Sequence, residues 1–265
     1  MDKNDIINLV VAKKTSGGGG GESGNIDGFL DGSISGKIKS NVTSIRANAL
    51  SGCANITEVD LPNVITLNDA VFSDCTGLTT VNMPNLTSVG YSTFKNCTSL
   101  QVLDAPNLVQ YDSSSSITGS SFYNCISLVS VNIPKLVRIR DSMFQLCISL
   151  TSVTVRDVTR LDRYAFADCT SLELIDLHNV TYLLGGALTR CSKLATVILR
   201  APSVCNIPDR TVLSNTQFES DGNGGTLYVP QAQIADYQAN EYWARVLNRN
   251  ANNKILAIEG SPYEQ

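Results

Sequence analysis

The stretch Val158–Asn179, VTRLDRYAFADCTSLELIDLHN, decides the fold, because close copies of it occupy most of the chain. The copy at Val64–Asn85 reads VITLNDAVFSDCTGLTTVNMPN and aligns with it over its full length without a gap. Seven copies begin, in order, at Val42, Val64, Leu86, Leu108, Leu136, Val158 and Val180. Their spacing is 22 residues throughout, except for one interval of 28 after Leu108. A unit this short cannot bury its own apolar residues, so the copies must stack around one continuous core.

Three columns of apolar residues run through the copies. Eight residues after each start, allowing for an insertion in the fourth copy, come Leu50, Phe72, Phe94, Phe122, Phe144, Phe166 and Leu188. Three residues later come Cys53, Cys75, Cys97, Cys125, Cys147, Cys169 and Cys191. Another three residues on come Ile56, Leu78, Leu100, Leu128, Leu150, Leu172 and Leu194. We predict that these columns form the core, with the cysteines acting as small buried hydrophobes.

Local patterns predict two short strands in each copy. After the cysteine, L-x-x-V-x-M places two apolar residues two apart, which is the period of a strand. A proline, which has no N–H to donate to a ladder, directly follows this strand in four copies. These prolines are Pro62, Pro84, Pro106 and Pro134. The start of each copy, as in 158–161, fits a second strand, and we predict one helical turn in the segment between them, as in 162–168.

The unit C-x-x-L-x-x-V-x-M-P-N-L-x-x-V, with a Phe three residues before most of the cysteines, resembles the leucine-rich repeat of the BspA-like type, which also occurs in treponemal surface proteins. The resemblance covers about residues 42–201. It implies an α/β solenoid with short parallel strands and a helical turn in each 22-residue repeat, closed by a C-terminal cap. It also implies a bacterial surface protein that attaches to host or neighbouring-cell components.

The two ends of the chain depart from the repeat. We predict that residues 1–24 form a short helix followed by a flexible tether. The tether is indicated by the five consecutive glycines Gly17–Gly21. Residues 25–41 are predicted to cap the first repeat, and the repeats to span 42–201. Residues 202–265 form the predicted C-terminal cap, because the exposed end of a solenoid core needs an atypical closing element.

The register fails within the C-terminal cap, where Cys205 is out of phase with the other cysteines. We predict a strand at 226–229, a helix over 230–247 that carries Trp243, and a final strand at 254–258.

The composition excludes several classes of protein. With 43% hydrophobic and 17% charged residues, the chain is neither charge-rich and disordered nor a membrane protein. Twenty Lys and Arg against 24 Asp and Glu give a net charge of −4, without a basic field for nucleic acid. No stretch approaches the roughly 20 apolar residues of a membrane span, and no signal peptide is recognisable in this chain. We expect a monomer without membrane insertion, placed at the cell surface or outside the cell by the resemblance alone.

Few residues are candidates for chemistry. Stacked cysteines point the same way, which disfavours disulfides, and the chain has no C-x-x-C pair that would indicate zinc. Cys205, off the column, is the one thiol worth testing for reactivity. His178, the only histidine, stands where other copies have proline and is predicted to be a surface residue. We predict no catalytic residue, no metal ligand and no cofactor.

The outward residues of the main strand form the candidate binding site. Small polar side chains stacked at about 4.8 Å make a flat face of acceptors and hydroxyls that can hold a protein, a glycan or a weakly bound cation. The candidate residues are Glu58, Asp60, Thr80, Asn82, Asp104, Asn132, Thr154 and Asp176. The alternative interpretation is a solvated sheet that short polar side chains keep soluble.

Arginines interleaved with aspartates mark the fifth and sixth copies. The arginines are Arg138, Arg140, Arg156, Arg160 and Arg163, and the aspartates are Asp141, Asp157 and Asp162. We predict that they pair with one another on the surface. The serine-rich insertion at 113–119 either marks a binding face or is simply a tolerated loop.

Two functions of different classes fit these observations. The first is a non-enzymatic binding or adhesion module that uses the sheet face to bind a protein or glycan partner, as the resemblance implies. The second is a structural or assembly component, virion-associated or intracellular, docked through the helix in residues 1–24. An enzyme ranks last.

Overall fold

The computed structural model describes residues 36–41, 43–111, 119–219 and 221–264. In these ranges each repeat contributes one rung to a solenoid of short parallel strands, which confirms the predicted fold class. The predicted helix and tether of residues 1–24 lie outside the described residues.

The main strand of each repeat follows the cysteine, and one strand before the first cysteine adds to the set. This set consists of β1 (Gly36–Lys39), β3 (Ile56–Asp60), β5 (Thr80–Asn82), β7 (Val102–Asp104), β9 (Ser130–Asn132), β11 (Ser152–Thr154), β13 (Leu174–Leu177) and β15 (Thr196–Leu199). Ladder hydrogen bonds join them in the groups β1-β3-β5, β7-β9-β11 and β13-β15. Equivalent residues of successive repeats lie side by side, as Val59 beside Val81 and Val131 beside Val153.

A second set of two-residue strands forms another side of the solenoid. It consists of β2 (Ser44–Ile45), β4 (Thr66–Leu67), β6 (Ser88–Val89), β8 (Gln110–Tyr111), β10 (Arg138–Ile139), β12 (Arg160–Leu161) and β14 (Tyr182–Leu183). These strands form the parallel sheets β2-β4-β6-β8 and β10-β12-β14. The two sheets are divided at the long fourth repeat. Of its predicted insertion at 113–119, residues 113–118 lie outside the described residues.

The third side of the repeat is a stacked turn, so the predicted helical turn at 162–168 is wrong. Tyr164 and Asp168 adopt positive φ angles of 57° and 63°, which no α-helix contains. The reason lies in where the amides point: Phe166 N–H donates to the carbonyl of Ala187 in the next repeat at 2.8 Å, and Asp168 N–H to Thr189 at 3.0 Å. An amide that donates to the neighbouring rung cannot also form an α-helical hydrogen bond within its own rung.

The predicted core columns are confirmed. The side chains of all three columns are buried along the whole stack. Phe72, Phe94, Phe122, Phe144 and Phe166 form one continuous pile, whose neighbouring ring centroids lie 5.2–5.3 Å apart at interplanar angles of 8–13°. All eight cysteines are buried free thiols.

The C-terminal segment continues the main sheet and covers the last rung. β16 (Thr226–Val229) pairs in parallel with β15, and β17 (Lys254–Ala257) pairs with β16. Between them, a 3-10 turn at Gln231–Gln233 leads into α1 (Ile234–Ala239) and α2 (Glu241–Leu247).

The single predicted helix over 230–247 is therefore two helices. Asn240 separates them in extended conformation, and its side chain accepts hydrogen bonds from the amides of Tyr242 and Trp243 at the start of α2. The indole Nε1 of Trp243 donates to the Cys205 carbonyl at 2.7 Å, and the Cys205 amide donates to the hydroxyl of Tyr237 at 2.9 Å. These bonds fasten both helices to the segment that follows the last repeat.

Candidate functional site

The eight predicted binding residues all lie on the outward side of the main strands. Strand pairing places them in register, Glu58 beside Thr80, Asp60 beside Asn82, and Asp104 beside Asn132. Asn82 donates to the Asp60 carboxylate at 2.8 Å, and Asn132 donates to Asp104 at 2.7 Å. Some of the polar side chains in this row therefore form hydrogen bonds with one another.

Lysines neutralise the N-terminal end of this face. Lys37 lies 3.2 Å from Glu58, and Lys39 lies 3.6 Å from Asp60. Both lysines belong to β1, which our sequence interpretation treated only as part of a cap. Their alternation with Ile38 along that strand was the signal that could have shown them to face outward.

The centre of the face is different. In the described residues Asp104 has no ion pair, and its Oδ2 has no hydrogen-bond partner. On the same strand, residue Val102 is 51% exposed, and Thr154 extends the polar row on β11, two strands away. Polar groups at the margin of exposed apolar surface resemble the polar rim and apolar core of a recognition surface.

At the C-terminal end, Asp176 forms a forked ion pair. Arg200 donates to its two carboxylate oxygens through Nε and Nη2, each at 2.8 Å. This hydrogen bonding to Asp176 raises the pKa of the Arg200 guanidinium above its usual value. The second Nη2 bond of Arg200, 2.7 Å long, goes to the carbonyl of Tyr263 and ties the C-terminal tail to the sheet.

A cavity of about 390 Å³ opens at this end of the sheet. Its lining consists of Arg156, Asp176, His178, Arg200, Pro262 and Tyr263. The two arginines and the histidine occupy the position that holds proline in the first four repeats. His178 lies partly exposed, as predicted, but its setting was missed: Nδ1 is 3.6 Å from the Asp176 carboxylate.

A family comparison identifies the architecture. The model described as "BspA type Leucine rich repeat region" matches six copies, over residues 33–137 and 107–219. The chain belongs to the BspA-type leucine-rich repeat family. A comparison with curated proteins gives no match.

Two solved structures of leucine-rich repeat proteins are similar to this chain. The leucine-rich repeat protein of T. pallidum is 25% identical, with a TM-score of 0.51 over 58% of this chain and 72% of that one. A leucine-rich repeat protein from Bacteroides ovatus is 21% identical, with a TM-score of 0.55 over 79% of this chain and 56% of that one. The second likeness speaks for the fold alone.

The arginine and aspartate group of this BspA-type chain pairs only in part as predicted. The carboxylate of Asp162 accepts from the Nε atoms of Arg138 and Arg160, each at 2.7 Å. That carboxylate is only 3% exposed, so the predicted surface pairing is in fact a buried bridge. Asp141 accepts from the backbone amide of Arg163, while Arg156 lines the cavity.

The structure does not support the suggestion that Cys205 is a reactive thiol. Cys205 is fully buried, and burial raises the pKa of its thiol to about 12, which keeps it protonated at neutral pH. Within the described ranges, no group of histidines, cysteines and acidic residues is arranged to hold a metal ion, and no helix is long and apolar enough to cross a membrane.

Proposed function

We propose that this protein is a non-enzymatic binding module that recognises a protein or glycan partner through the outward face of its main strands. The observation that carries the proposal is the row Asp104, Asn132 and Thr154. These side chains lie in register on hydrogen-bonded parallel strands, with one carboxylate oxygen free of any partner in the described residues. A row held on a packed sheet loses little conformational entropy when it binds.

The neighbouring apolar side chains support the same assignment. Val102, on the same strand as Asp104, is 51% exposed, and Val129, directly before the strand that carries Asn132, is 45% exposed. Recognition surfaces combine such apolar contacts with a small number of oriented polar groups. The resemblance of the repeat to those of bacterial surface proteins supports an adhesive role at the cell surface.

Binding of the labelled full chain to an immobilised panel of glycans and extracellular-matrix proteins tests this proposal. The double variant Asp104→Ala/Asn132→Ala should weaken binding to the recognised probe at least about ten-fold. The matched control Ser192→Ala/Lys193→Ala changes two exposed residues between Cys191 and β15, away from Asp104 and Asn132 in sequence and strand order, and should bind normally. Equal binding by both variants, or no binding to any probe, contradicts the proposal.

A deletion separates this proposal from an assembly role. Removing residues 1–24 should leave binding by the sheet face unchanged, because the face is built from residues 58–176. Loss of all binding on that deletion would instead favour docking through the N-terminal segment.

A further inference from the structure

We infer that the cavity at the C-terminal end of the main sheet binds the carboxylate of an acidic sugar, such as a uronic acid. This site goes beyond the sheet-face function and does not depend on it. The inference rests on the charge, the unsatisfied polar groups, the rigidity and the size of the cavity.

The cavity carries an excess of positive charge. Arg156 and Arg200 bring two guanidinium charges, and Asp176 brings one negative charge, which leaves one positive charge with His178 neutral. Arg200 is already engaged in its fork with Asp176. Arg156 has no acidic partner among the described residues, so its five N–H donors are available to a carboxylate.

His178 adds an unsatisfied polar atom. Its Nδ1 is buried without a hydrogen-bond partner in the part of the chain that the structure describes, and Asp176 Oδ1 at 3.6 Å is too far for a bond. Unsatisfied buried polar atoms are rare in folded proteins, and a missing ligand or ion is one explanation for such an atom. A ligand group within hydrogen-bonding distance of Nδ1 would supply the partner that this atom lacks.

The walls of the cavity are held in place before any ligand binds. The carboxamide of Asn179 donates to the Arg156 carbonyl at 2.9 Å, which fixes the backbone of that rung. On the opposite side, Arg200 holds the Tyr263 carbonyl, and the Tyr263 ring meets the edge of Tyr228 with centroids 4.9 Å apart. Pre-formed walls reduce the entropic cost of binding.

The size and chemistry of the cavity indicate a ring-sized organic ligand. Its volume of about 390 Å³ falls within the ~300–1,000 Å³ typical of small-molecule sites and far exceeds the roughly 30 Å³ of a water molecule. Pro262 and Tyr263 add apolar surface to the charged lining of the cavity. A pyranose with a carboxylate matches both halves, because its C–H face packs on the apolar wall while the carboxylate meets Arg156.

A peptide is a poorer match for this site. Peptides are generally recognised in extended form along a sheet edge or a groove. Here the lining comes from three successive rungs and two adjacent residues of the tail, a compact setting that suits one sugar ring.

Isothermal titration calorimetry of the full chain with glucuronate tests the inference. Glucose lacks the carboxylate and acetate lacks the ring, so both should bind at least about ten-fold more weakly than glucuronate. Arg156→Gln should weaken glucuronate binding by about ten-fold or more. Arg163→Gln removes the same charge from an exposed arginine outside the cavity and should leave the affinity unchanged.

Each alternative result overturns the assignment. No binding at glucuronate concentrations up to about 10 mM excludes a useful site. Equal affinity for acetate shows a general anion site, and tighter binding of an aspartate dipeptide shows a peptide site. Equal loss in the two arginine variants shows a non-specific charge effect. The Asp104→Ala/Asn132→Ala variant should still bind glucuronate. Loss of glucuronate binding in Arg156→Gln and loss of partner binding in the sheet-face variant can therefore be observed independently.

Discussion

The thiol of Cys97 donates a hydrogen bond to the backbone carbonyl of Phe72, one repeat earlier, at 3.1 Å. The same carbonyl also accepts from the amide of Cys75 in its own repeat at 3.2 Å. The thiol contact recurs at 3.0–3.3 Å from Cys75, Cys125, Cys147, Cys169 and Cys191. A cysteine therefore satisfies the second lone pair of a buried carbonyl, which an aliphatic residue of similar size cannot do.

Replacing one member of this column should cost more than its small size suggests. Cys147→Ala removes a buried sulfur and its hydrogen bond, and we expect the free energy of unfolding to fall by about 1–3 kcal/mol. Its exposed neighbour gives a matched control, since Ile148→Ala should change stability by less than about 0.5 kcal/mol. Guanidinium denaturation monitored by circular dichroism measures both. Equal losses of stability in the two variants would show that the buried thiol and its hydrogen bond contribute no more than an exposed side chain.

The burial of the thiols predicts their accessibility. Because the cysteine residues are essentially fully buried, the native protein should react with a thiol reagent only very slowly. After denaturation without reductant, the titration should find all eight cysteines free. Cys205 should be as unreactive as the column in the native state, contrary to our sequence-based suspicion. A count near zero would mean that the cysteines are oxidised.

Stability should fall in alkaline solution. Burial raises the pKa of the Cys53 thiol to about 11 and those of Cys125 and Cys205 to about 12. In the unfolded chain a thiol titrates near about 8.5, so above that pH only the unfolded state loses these protons. The stabilisation is complete below pH ~8.5 and declines above it, by at most about 1.4 kcal/mol per pH unit for each thiol.

Guanidinium denaturation at several pH values, with reductant present, measures this alkaline decline. Cys125→Ala should be less stable at neutral pH but should show a shallower decline, because one titrating thiol has been removed. A free energy of unfolding that stays flat or rises between pH 8 and 10 contradicts the prediction.

The aromatic pile predicts the largest single loss of stability. Phe144 lies between the rings of Phe122 and Phe166, with centroids 5.3 Å away on each side. Phe144→Ala should lower the free energy of unfolding by about 3–5 kcal/mol, because neighbouring rungs hold the cavity open. Phe144→Leu keeps much of the volume and should cost less than half as much. An unchanged melting temperature for the alanine variant would mean that this column is not in the core.

The repeat period was enough to place the core from the sequence. Phe144, Cys147 and Leu150 follow from spacing alone, since stacked copies put equivalent residues on top of one another. The turn side was not predictable in the same way, because periodicity does not reveal which rung receives an amide. A hint was present in Asp74 and Asn96, residue types that tolerate the positive φ angles found there.

The cavity shows a different limit of sequence reasoning. Replacement of proline by Arg156, His178 and Arg200 is visible in the aligned copies, and strand register brings the three together. The other wall comes from Tyr263, which is 63 residues beyond Arg200 and is placed by a side-chain bond to a backbone carbonyl. No repeat pattern extends to that contact, so the sequence indicated a charged column but no enclosed site.

Asp162 provides the sharpest test of the electrostatic contacts. Its buried carboxylate bridges Arg138 and Arg160, and both arginine side chains remain more than one-third exposed. Asp162→Asn removes the charge while keeping the shape, and it places an N–H₂ donor where two other donors already point. We expect a loss of about 1–3 kcal/mol in the free energy of unfolding, at the lower end for a buried pair because solvent screens the arginines.

Asp157→Asn, at an exposed aspartate with no side-chain partner in the described ranges, should change stability by less than about 0.5 kcal/mol. If the two variants are equally stable in guanidinium denaturation, desolvation of the Asp162 carboxylate must cancel its attraction to both arginines, and the bridge serves only to set the register of β10 and β12.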